Sequence, residues 1–365
     1  MMKYITNLLK SCLPLGFTLL LFPAFSFAQN AYNQTDLVSD LAGVATHTDS
    51  QLVNPWGIAF FPGNPIWVAD NNSGVSTLYQ PDGSKLGLVV TLPPPASPPS
   101  ASANPTGIVA NASSSNFSVG GSPSIFLFDG EEGTISGWNG NGTMALVGID
   151  NSAQHAVYKG LTLIHNSQGD FLLATNFRSG KVEVYDQKFK LVHLGDADTD
   201  DSFRDPNLPS GYAPFGVHLI DNHVFVTYAK QNPAKHDPVI GPGRGFVSEF
   251  TAEGHFIRRV ASRGVLDAPW GVVKAPTSGF GAFSGKLLIG NFGDGIINAF
   301  DPEIGEDEPG KLLGQLENPD GTVIHNPGLW DMVFGADSAH PNTLFFTAGI
   351  LSEAHGLFGT IEVAP

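Results

Sequence analysis

The chain has 365 residues, of which 42% are hydrophobic and 14% are charged, and its formal net charge is −16. This apolar content is enough to form a folded core, so we exclude an intrinsically disordered chain. A surface this acidic repels phosphate backbones and anionic lipids, so we expect neither nucleic acid nor a membrane as a partner.

The N-terminus has the features of an export signal. Lys3 and Lys10 precede an apolar stretch at residues 13–22, and small residues follow it. The stretch is interrupted by proline and glycine and is shorter than the roughly 20 residues that a spanning helix needs. We therefore predict a cleaved signal peptide at residues 1–28, a single domain at residues 29–365, and a secreted protein that is periplasmic or extracellular.

The cysteine content agrees with export. The only cysteine, Cys12, lies inside the predicted signal peptide. The mature protein would then have no thiol, which excludes disulfides, thiolate metal ligands and a cysteine nucleophile.

A short turn recurs along the rest of the chain. Its first copy is Asn54-Pro55-Trp56-Gly57, and the glycines of successive copies are 50 to 57 residues apart. The six copies are Asn54–Gly57, Asn104–Gly107, Tyr158–Leu161, Ala213–Gly216, Ala268–Gly271 and Asn326–Leu329.

Each copy of the turn is followed by the same pattern of short strands. An apolar strand, a second strand, a polar corner, a third strand and an outer fourth strand follow in turn. Four strands in each of six repeats predict an all-β fold, a six-bladed β-propeller of four-stranded antiparallel blades. No stretch has the sustained helical spacing that a helical solenoid needs. We expect an N-terminal strand at residues 35–41 to pair with the last strand, at residues 359–363, and so close the ring.

These motifs resemble those of known propellers. The segments 54–57, 69–71 and 325–330 are similar to the NPWG-like, ADN-like and HNPGLW-like blade motifs of a secreted, largely uncharacterised bacterial propeller family. More broadly, the chain resembles NHL-type six-bladed propellers. The resemblance covers residues 35–363 and implies the fold. For activity it leaves lyases, lactonases and simple binding scaffolds open.

Histidines suggest a metal site at the mouth of the channel. His47, His155 and His325 come before blades one, three and six. Imidazoles from separate blades can converge on a zinc-like divalent ion, which resembles the zinc site of the NHL-type amidating lyase. The alternative is that each histidine makes hydrogen bonds only within its own turn.

A long loop and the last corner supply further candidates. Residues 231–245 form a long insertion that contains His236, and such loops often cover a binding site. The alternative is a flexible insertion with no role in binding. Near the C-terminus, Glu353 could act as a general base or orient His355.

The polar corners between the second and third strands lie on the same predicted face. Asp70, Asn71, Asn176, Asn291 and Asp294 are candidate ligand-binding residues, although turn geometry alone also explains such residue types.

Arg178 differs from these corner residues because a long cation in so acidic a protein could clamp a carboxylate substrate. We therefore consider it a candidate catalytic residue, together with Glu353 and His355.

An acidic segment suggests calcium binding. Asp196, Asp198 and Asp200 alternate along the chain as the ligands of a calcium loop do, but the complete EF-hand pattern is absent. The alternative is a solvated acidic loop.

The tryptophans of the repeat, Trp56, Trp270 and Trp330, are predicted to pack between blades.

Two function classes follow from these features. The first is a secreted, monomeric binding or interaction scaffold that recognises a small molecule, a glycan or an extracellular protein on the channel face. The alternative is a metal-dependent lyase or hydrolase that acts on a small extracellular substrate.

Overall fold

The computed structural model describes residues 30–98, 102–195, 202–302 and 310–365. Within these residues, six sheets stand as blades around a central channel, five with four strands and one with five. The innermost strand of each blade contacts that of the next, and the last contacts the first. The predicted all-β, six-bladed propeller is confirmed.

The strands are short and are separated by turns. In chain order they are β1 (Tyr32–Ser39), β2 (His47–Thr48), β3 (Pro55–Ala59), β4 (Ile66–Asp70), β5 (Val75–Tyr79), β6 (Val90–Thr91), β7 (Pro105–Ala110), β8 (Ser118–Val119), β9 (Ser122–Pro123), β10 (Phe126–Gly130), β11 (Thr134–Trp138), β12 (Leu146–Asp150), β13 (Tyr158–Asn166), β14 (Gly169–Asn176), β15 (Lys181–Tyr185), β16 (Leu191–Val192), β17 (Tyr212–Ile220), β18 (His223–Lys230), β19 (Gly245–Thr251), β20 (Phe256–Ser262), β21 (Pro269–Lys274), β22 (Leu287–Asn291), β23 (Ile297–Asp301), β24 (Lys311–Gln315), β25 (Leu329–Val333), β26 (Leu344–Ala348) and β27 (Leu357–Val363). In the described ranges, three 3-10 helices lie at Asn71–Ser73, Ser152–Gln154 and Gly281–Phe283.

The blades follow the chain, except at the point of closure. Blade one consists of β3 to β6, blade two of β7 and β10 to β12, blade three of β13 to β16, blade four of β17 to β20, and blade five of β21 to β24. Strands β8 and β9 form a separate hairpin between β7 and β10. Blade six combines β25, β26 and β27 with β1 and β2.

The N-terminal strand closes the ring as predicted. Strand β1 pairs antiparallel with β27, with Tyr32 opposite Val363 and Ser39 opposite Leu357. The strand is displaced a little toward the N-terminus from the predicted residues 35–41. This pairing covers the edge that β27 would otherwise expose, and it joins the two ends of the propeller in one sheet.

The second strands of the blades are buried, except at the ends of β14 and β18. All five residues of β4 and all five of β22 are buried. Neighbouring blades cover both faces of each sheet. These strands are therefore continuous runs of buried residues and do not alternate between buried and exposed ones.

The same β-bulge lies near the start of every innermost strand. In blade one, Pro55 is opposite Asp70, and the next paired residue is Ile58, opposite Val68. Three steps on the innermost strand therefore match two on its neighbour. The other five blades repeat this three-to-two step.

The bulge corrects the alignment of the sixth repeat. Its step in blade six begins at Leu329, so Asp331 is the counterpart of Gly57. The Asn-Pro-Gly motif in the sequence points to Gly328 instead, which lies three residues too early. The Asn-Pro-Gly motif lies before the strand and is not equivalent to Pro-Trp-Gly.

The glycines of this bulge let the innermost strands approach one another closely. A Cβ atom on Gly216 would lie 2.3 Å from the backbone oxygen of Trp270, and one on Gly271 would lie 2.6 Å from that of Trp330. Real Cβ atoms do not come so near a backbone oxygen. The counterparts that face the next blade in the same way are Gly57, Gly107 and Gly160.

The described part of the chain contains no helix with the length and hydrophobicity required to cross a membrane. The predicted signal peptide lies outside the described residues, so its cleavage stays a prediction.

We expect Gly216→Ala to destabilise the propeller, because the added methyl group would overlap the backbone of the next blade. Overpacking of this kind costs roughly 1–3 kcal/mol in the free energy of unfolding. Urea denaturation measures the change. The control is Gly87→Ala, whose added Cβ would have no heavy atom within 4 Å. Equal stability of the two variants would contradict the close-packing explanation.

Candidate functional site

The candidate functional face is the end of the channel at which the innermost strands begin. Because the first two strands of each blade are antiparallel, the end of the second strand and its corner lie at the same end. The second residue of each bulge is aromatic in four blades, but it is Thr106 in blade two and Lys159 in blade three. The aromatic ones are Trp56, Phe215, Trp270 and Trp330.

These aromatic residues meet in the middle of the channel. The rings of Trp56 and Trp330 are stacked, with centroids 3.3 Å apart and planes 18° apart. Trp270 meets Trp56 edge-on at 6.2 Å, and Phe292 stacks on Trp330 at 4.2 Å. Tryptophans of different blades do contact one another, as predicted, but they meet at the channel and form a plug there rather than filling the gaps between neighbouring sheets.

A cavity of about 320 Å³ lies on this plug. All six blades contribute to its wall. The residues are Trp56, Glu131, Lys159, Asp237, Pro238, Ile240, Phe292, Gly293, Pro327, Gly328, Trp330, Gly349, Ser352 and Glu353. One part of the wall is apolar, and the other carries three carboxyl groups and one ammonium group.

Lys159 is the buried cation of the cavity and is only 1% exposed. Its Nζ atom donates a hydrogen bond to Glu131 and forms an ion pair with it. Asp237 lies 3.8 Å from the same nitrogen. The ammonium also lies 5.2 Å from the centroid of the Trp56 ring, a cation–π contact. Carboxylates and an indole ring together compensate the burial of this charge.

Glu131 is held in place by the corner of blade one. Asn71 Nδ2 donates to its carboxylate at 3.1 Å and to the backbone oxygen of Pro105 at 3.2 Å. Asn71 was a predicted ligand-binding residue, and the structure places it behind the cavity, where it orients Glu131.

Glu353 is the third carboxyl group of the cavity. It has a positive φ of 66°, and Asn54 Nδ2 donates to its carboxylate at 3.1 Å. Burial, and then the neighbouring Glu131 carboxylate, raise the pKa of Glu353 above its ordinary value. In the described part of the chain it has no cationic partner within 4.0 Å. Glu353, a predicted catalytic residue, does reach the cavity.

The long insertion of blade four forms one side of the cavity. It connects β18 to β19 and supplies Asp237, Pro238 and Ile240 to the wall. His236 Nδ1 lies 2.7 Å from Asp237 Oδ1, and this hydrogen bond is the largest cause that lowers the pKa of Asp237. The insertion that the sequence singled out is therefore part of the site.

One group of potential metal ligands is present among the described residues. Ligand atoms of Glu131, His236 and Asp237 all lie within 4.8 Å of one another. One carboxylate of this group already binds the Lys159 ammonium.

The three histidines predicted as metal ligands are not brought together. His47 lies in β2 at the outer edge of blade six, with Nε2 3.2 Å from the Asp82 backbone oxygen. His155 ends a 3-10 helix with a φ of 58°. His325 forms an isolated bridge with Ile296. None of the three belongs to the group of potential metal ligands found among the described residues.

Two further candidates lie off the cavity. His355 Nδ1 lies 2.7 Å from Asp40 Oδ2, so it ties the last corner to the N-terminal segment. Arg178 is exposed and donates to the Ala234 backbone oxygen at 3.3 Å. Neither side chain forms part of the cavity wall.

The other predicted corner residues, Asp70, Asn176, Asn291 and Asp294, make hydrogen bonds within their own blades. Asp70 accepts hydrogen bonds from Thr77, and burial raises its pKa. Asn176 Oδ1 accepts from the Ser179 N–H at 3.2 Å. Asn291 donates to the Asp294 carboxylate at 3.0 Å, and burial raises the pKa of Asp294. These four side chains are not in the cavity wall.

Asp196, Asp198 and Asp200 lie outside the described residues, so a calcium site there stays a prediction. The nearby Asp205 is buried, accepts from Ser248 at 2.8 Å and pairs with Arg259.

A second cavity of about 250 Å³ lies at the other end of the channel. Its wall is mostly aliphatic, with His218 and Asp331 as ionisable groups. His218 Nε2 lies 2.9 Å from the Trp270 backbone oxygen, and burial lowers its pKa to about 4. Burial raises the pKa of Asp331 to about 7, while the N–H groups of Ile58 and Met332, each at 2.8 Å, oppose this shift.

Comparison with known proteins gives a family for this chain. No protein-family model matches it. It is 32% identical over 333 residues to the uncharacterized protein R648 of Acanthamoeba polyphaga mimivirus, an alignment that covers 89% of this chain and 78% of the viral protein. The chain belongs to the R648 family. The uncharacterized protein L690 of the same virus is 34% identical over 277 residues, which cover 73% of this chain and 70% of L690.

Solved structures similar to this R648-family chain share its fold. A soluble aldose sugar dehydrogenase from Escherichia coli has a TM-score of 0.54 at 13% identity, over 92% of this chain and all of the other. A glucose dehydrogenase has a TM-score of 0.55 at 12% identity, over 91% of this chain and 99% of the other. At these identities the likeness extends to the propeller alone.

Sequence reasoning missed Lys159 and Glu131, the central ion pair of this R648-family site. A signal was present for each. Lys159 occupies the position at which four other repeats have an aromatic residue, and Glu131 occupies the corner position of Asn71. A charged residue in place of a buried aromatic one indicates a functional departure from the repeat.

We expect Lys159→Met to lower the free energy of unfolding of this R648-family protein by about 3–5 kcal/mol, because it leaves Glu131 without its counter-ion in a partly buried site. Adding Glu131→Gln should restore part of the loss. Urea denaturation of the variants measures both effects. The control is Lys274→Met, because the Lys274–Asp221 pair is exposed and is worth about 0–1 kcal/mol. Equal losses for Lys159→Met and Lys274→Met would contradict the buried-pair interpretation.

Proposed function

We propose that this protein is a binding protein that takes up a small molecule in the channel-face cavity. The observation that carries the proposal is that all six blades contribute to one wall, which combines an apolar side with a charged side. Small-molecule sites have this composition, with a few polar groups set in an apolar lining. The volume of about 320 Å³ is at the lower end of their range, so a small molecule is favoured over a glycan chain or a protein.

The rigidity of the wall also supports binding. Trp330 Nε1 donates to Asn54 Oδ1 at 2.9 Å, and Trp270 Nε1 donates to the Lys159 backbone oxygen at 2.7 Å. These contacts join different blades across the channel. A preformed site of this kind loses little conformational entropy when a ligand binds.

We also propose that the protein is exported and meets its ligand outside the cytoplasm. The charge pattern and apolar stretch of residues 1–28 and the lack of cysteine after Cys12 support this proposal.

A fragment screen by ligand-observed NMR tests the binding proposal. We expect small molecules that bind the wild-type protein to lose binding in Ile240→Trp, because the larger side chain would fill the cavity. The control is Leu191→Trp, since both native side chains are 51% exposed and Leu191 lies in the outer strand of blade three. The proposal fails if no fragment binds, or if the fragments bind Ile240→Trp as well as the control.

A metal-dependent lyase or hydrolase is the second candidate. The cluster of Glu131, His236 and Asp237 favours it, because carboxylate and imidazole groups are ligands for zinc-like ions. Such an ion would activate a water molecule or polarise a substrate oxygen. The fit is incomplete, since the Lys159 ammonium already neutralises part of this cluster.

For this second candidate we expect metal-reconstituted protein to retain about one zinc ion per chain. His236→Gln should weaken zinc binding about 10-fold or more, because it removes a ligand. Elemental analysis and calorimetry measure stoichiometry and affinity. The control is His340→Gln, because His340 makes a similar 2.7 Å contact with Asp337 away from the cavity. Metal-free protein after reconstitution, or equal affinities of the two variants, would exclude this candidate.

A further inference from the structure

The charges around the channel-face cavity do not balance. Its wall contains the carboxyl groups of Glu131, Asp237 and Glu353 but only one ammonium group, that of Lys159. The ammonium is in direct contact with Glu131 and lies 3.8 Å from Asp237. Glu353 has only the neutral Asn54 amide as a side-chain partner in the described part of the chain. The cavity therefore has excess negative charge at Glu353.

The cavity already stabilises one organic cation, which is its own lysine. The Lys159 ammonium is held by a carboxylate and by the face of the Trp56 ring, 5.2 Å from the centroid. Carboxylates and aromatic faces are the groups that recognise organic ammonium ions. The remaining carboxyl group, Glu353, shares the cavity with Trp330 and Phe292.

We propose that the ligand of this cavity is a small organic cation, an amine with an apolar body, whose charge pairs with Glu353 and whose body packs on the Trp56–Trp330–Phe292 side. The inference rests on the proposed binding function and names its ligand class. The apolar wall distinguishes an organic cation from a bare metal ion, for which Pro238, Ile240 and Pro327 would serve no purpose.

The surroundings agree with this ligand class. The whole chain has a formal net charge of −16, so the long-range field attracts cations toward it. Burial and then Glu131 raise the pKa of Glu353, and the Asn54 hydrogen bond and the charge of Lys159 only partly oppose this shift, so the carboxyl group lacks a close counter-ion. A bound cation would supply one.

Three molecules of one shape test the inference, namely cyclohexylammonium, cyclohexanol and cyclohexanecarboxylate. Calorimetry or protein-observed NMR at pH 7 gives their dissociation constants for the full chain. We expect the cation to bind at least about 10-fold more tightly than the alcohol, and the anion most weakly.

Two variants locate the interaction. Glu353→Gln should bring the affinity for the cation to within about 3-fold of that for the alcohol, because it removes the charge and keeps the shape. Glu362→Gln, on the outer part of the same blade, should leave the ratio unchanged. Circular dichroism and melting temperature confirm that each variant is folded.

The inference is overturned if the cation does not bind, if it binds no better than the alcohol, or if Glu353→Gln keeps its preference. Binding of the alcohol together with any of these results would leave the proposed small-molecule function standing. If none of the three molecules binds and the fragment screen finds no ligand, both the organic-cation inference and the proposed small-molecule function are overturned. Displacement of the cation by zinc, with zinc affinity lost in His236→Gln, would favour the metal-dependent candidate instead.

Discussion

The propeller depends on the close approach of its six innermost strands. At the bulge of five of these strands, a glycine lies so near the next blade that an added Cβ atom would crowd its backbone, 2.3 Å from an oxygen in the case of Gly216. This contact is a packing constraint on backbone atoms and leaves no room for a larger residue. In blade six the position belongs to Asp331, whose carboxylate instead accepts N–H groups of Ile58 and Met332.

Because the ring fixes the backbone, the chemistry of the site depends on which side chains stand at the repeated positions. The backbone repeats from blade to blade, so the second residue of each bulge occupies an equivalent place. Aromatic residues there form a plug, while Lys159 in blade three adds a charge to it. Its partner Glu131 is also a departure from the repeat, at the corner of blade two. The central ion pair of the candidate site is thus built from exceptions to the pattern that builds the fold.

Sequence reasoning succeeded where the information was local and repeated. The recurring turn predicted six four-stranded blades, and the unpaired strand near the N-terminus predicted closure with β27. The group of potential metal ligands among the described residues does not include His47, His155 or His325, because a position before a blade does not determine where an imidazole points. The last repeat was aligned three residues too early, since its Asn-Pro-Gly motif resembles a bulge that lies farther along the chain.

The sequence by itself determined the all-β class, the number of blades and the way in which the ring closes, because hydrophobic runs and turn residues at a constant period specify short strands locally. Only the tertiary structure decided the site. Glu131, Lys159, Asp237 and Glu353 come from four blades and are up to 222 residues apart along the chain. Their meeting depends on loop paths and on packing around the channel, and neither leaves a periodic signal in the sequence.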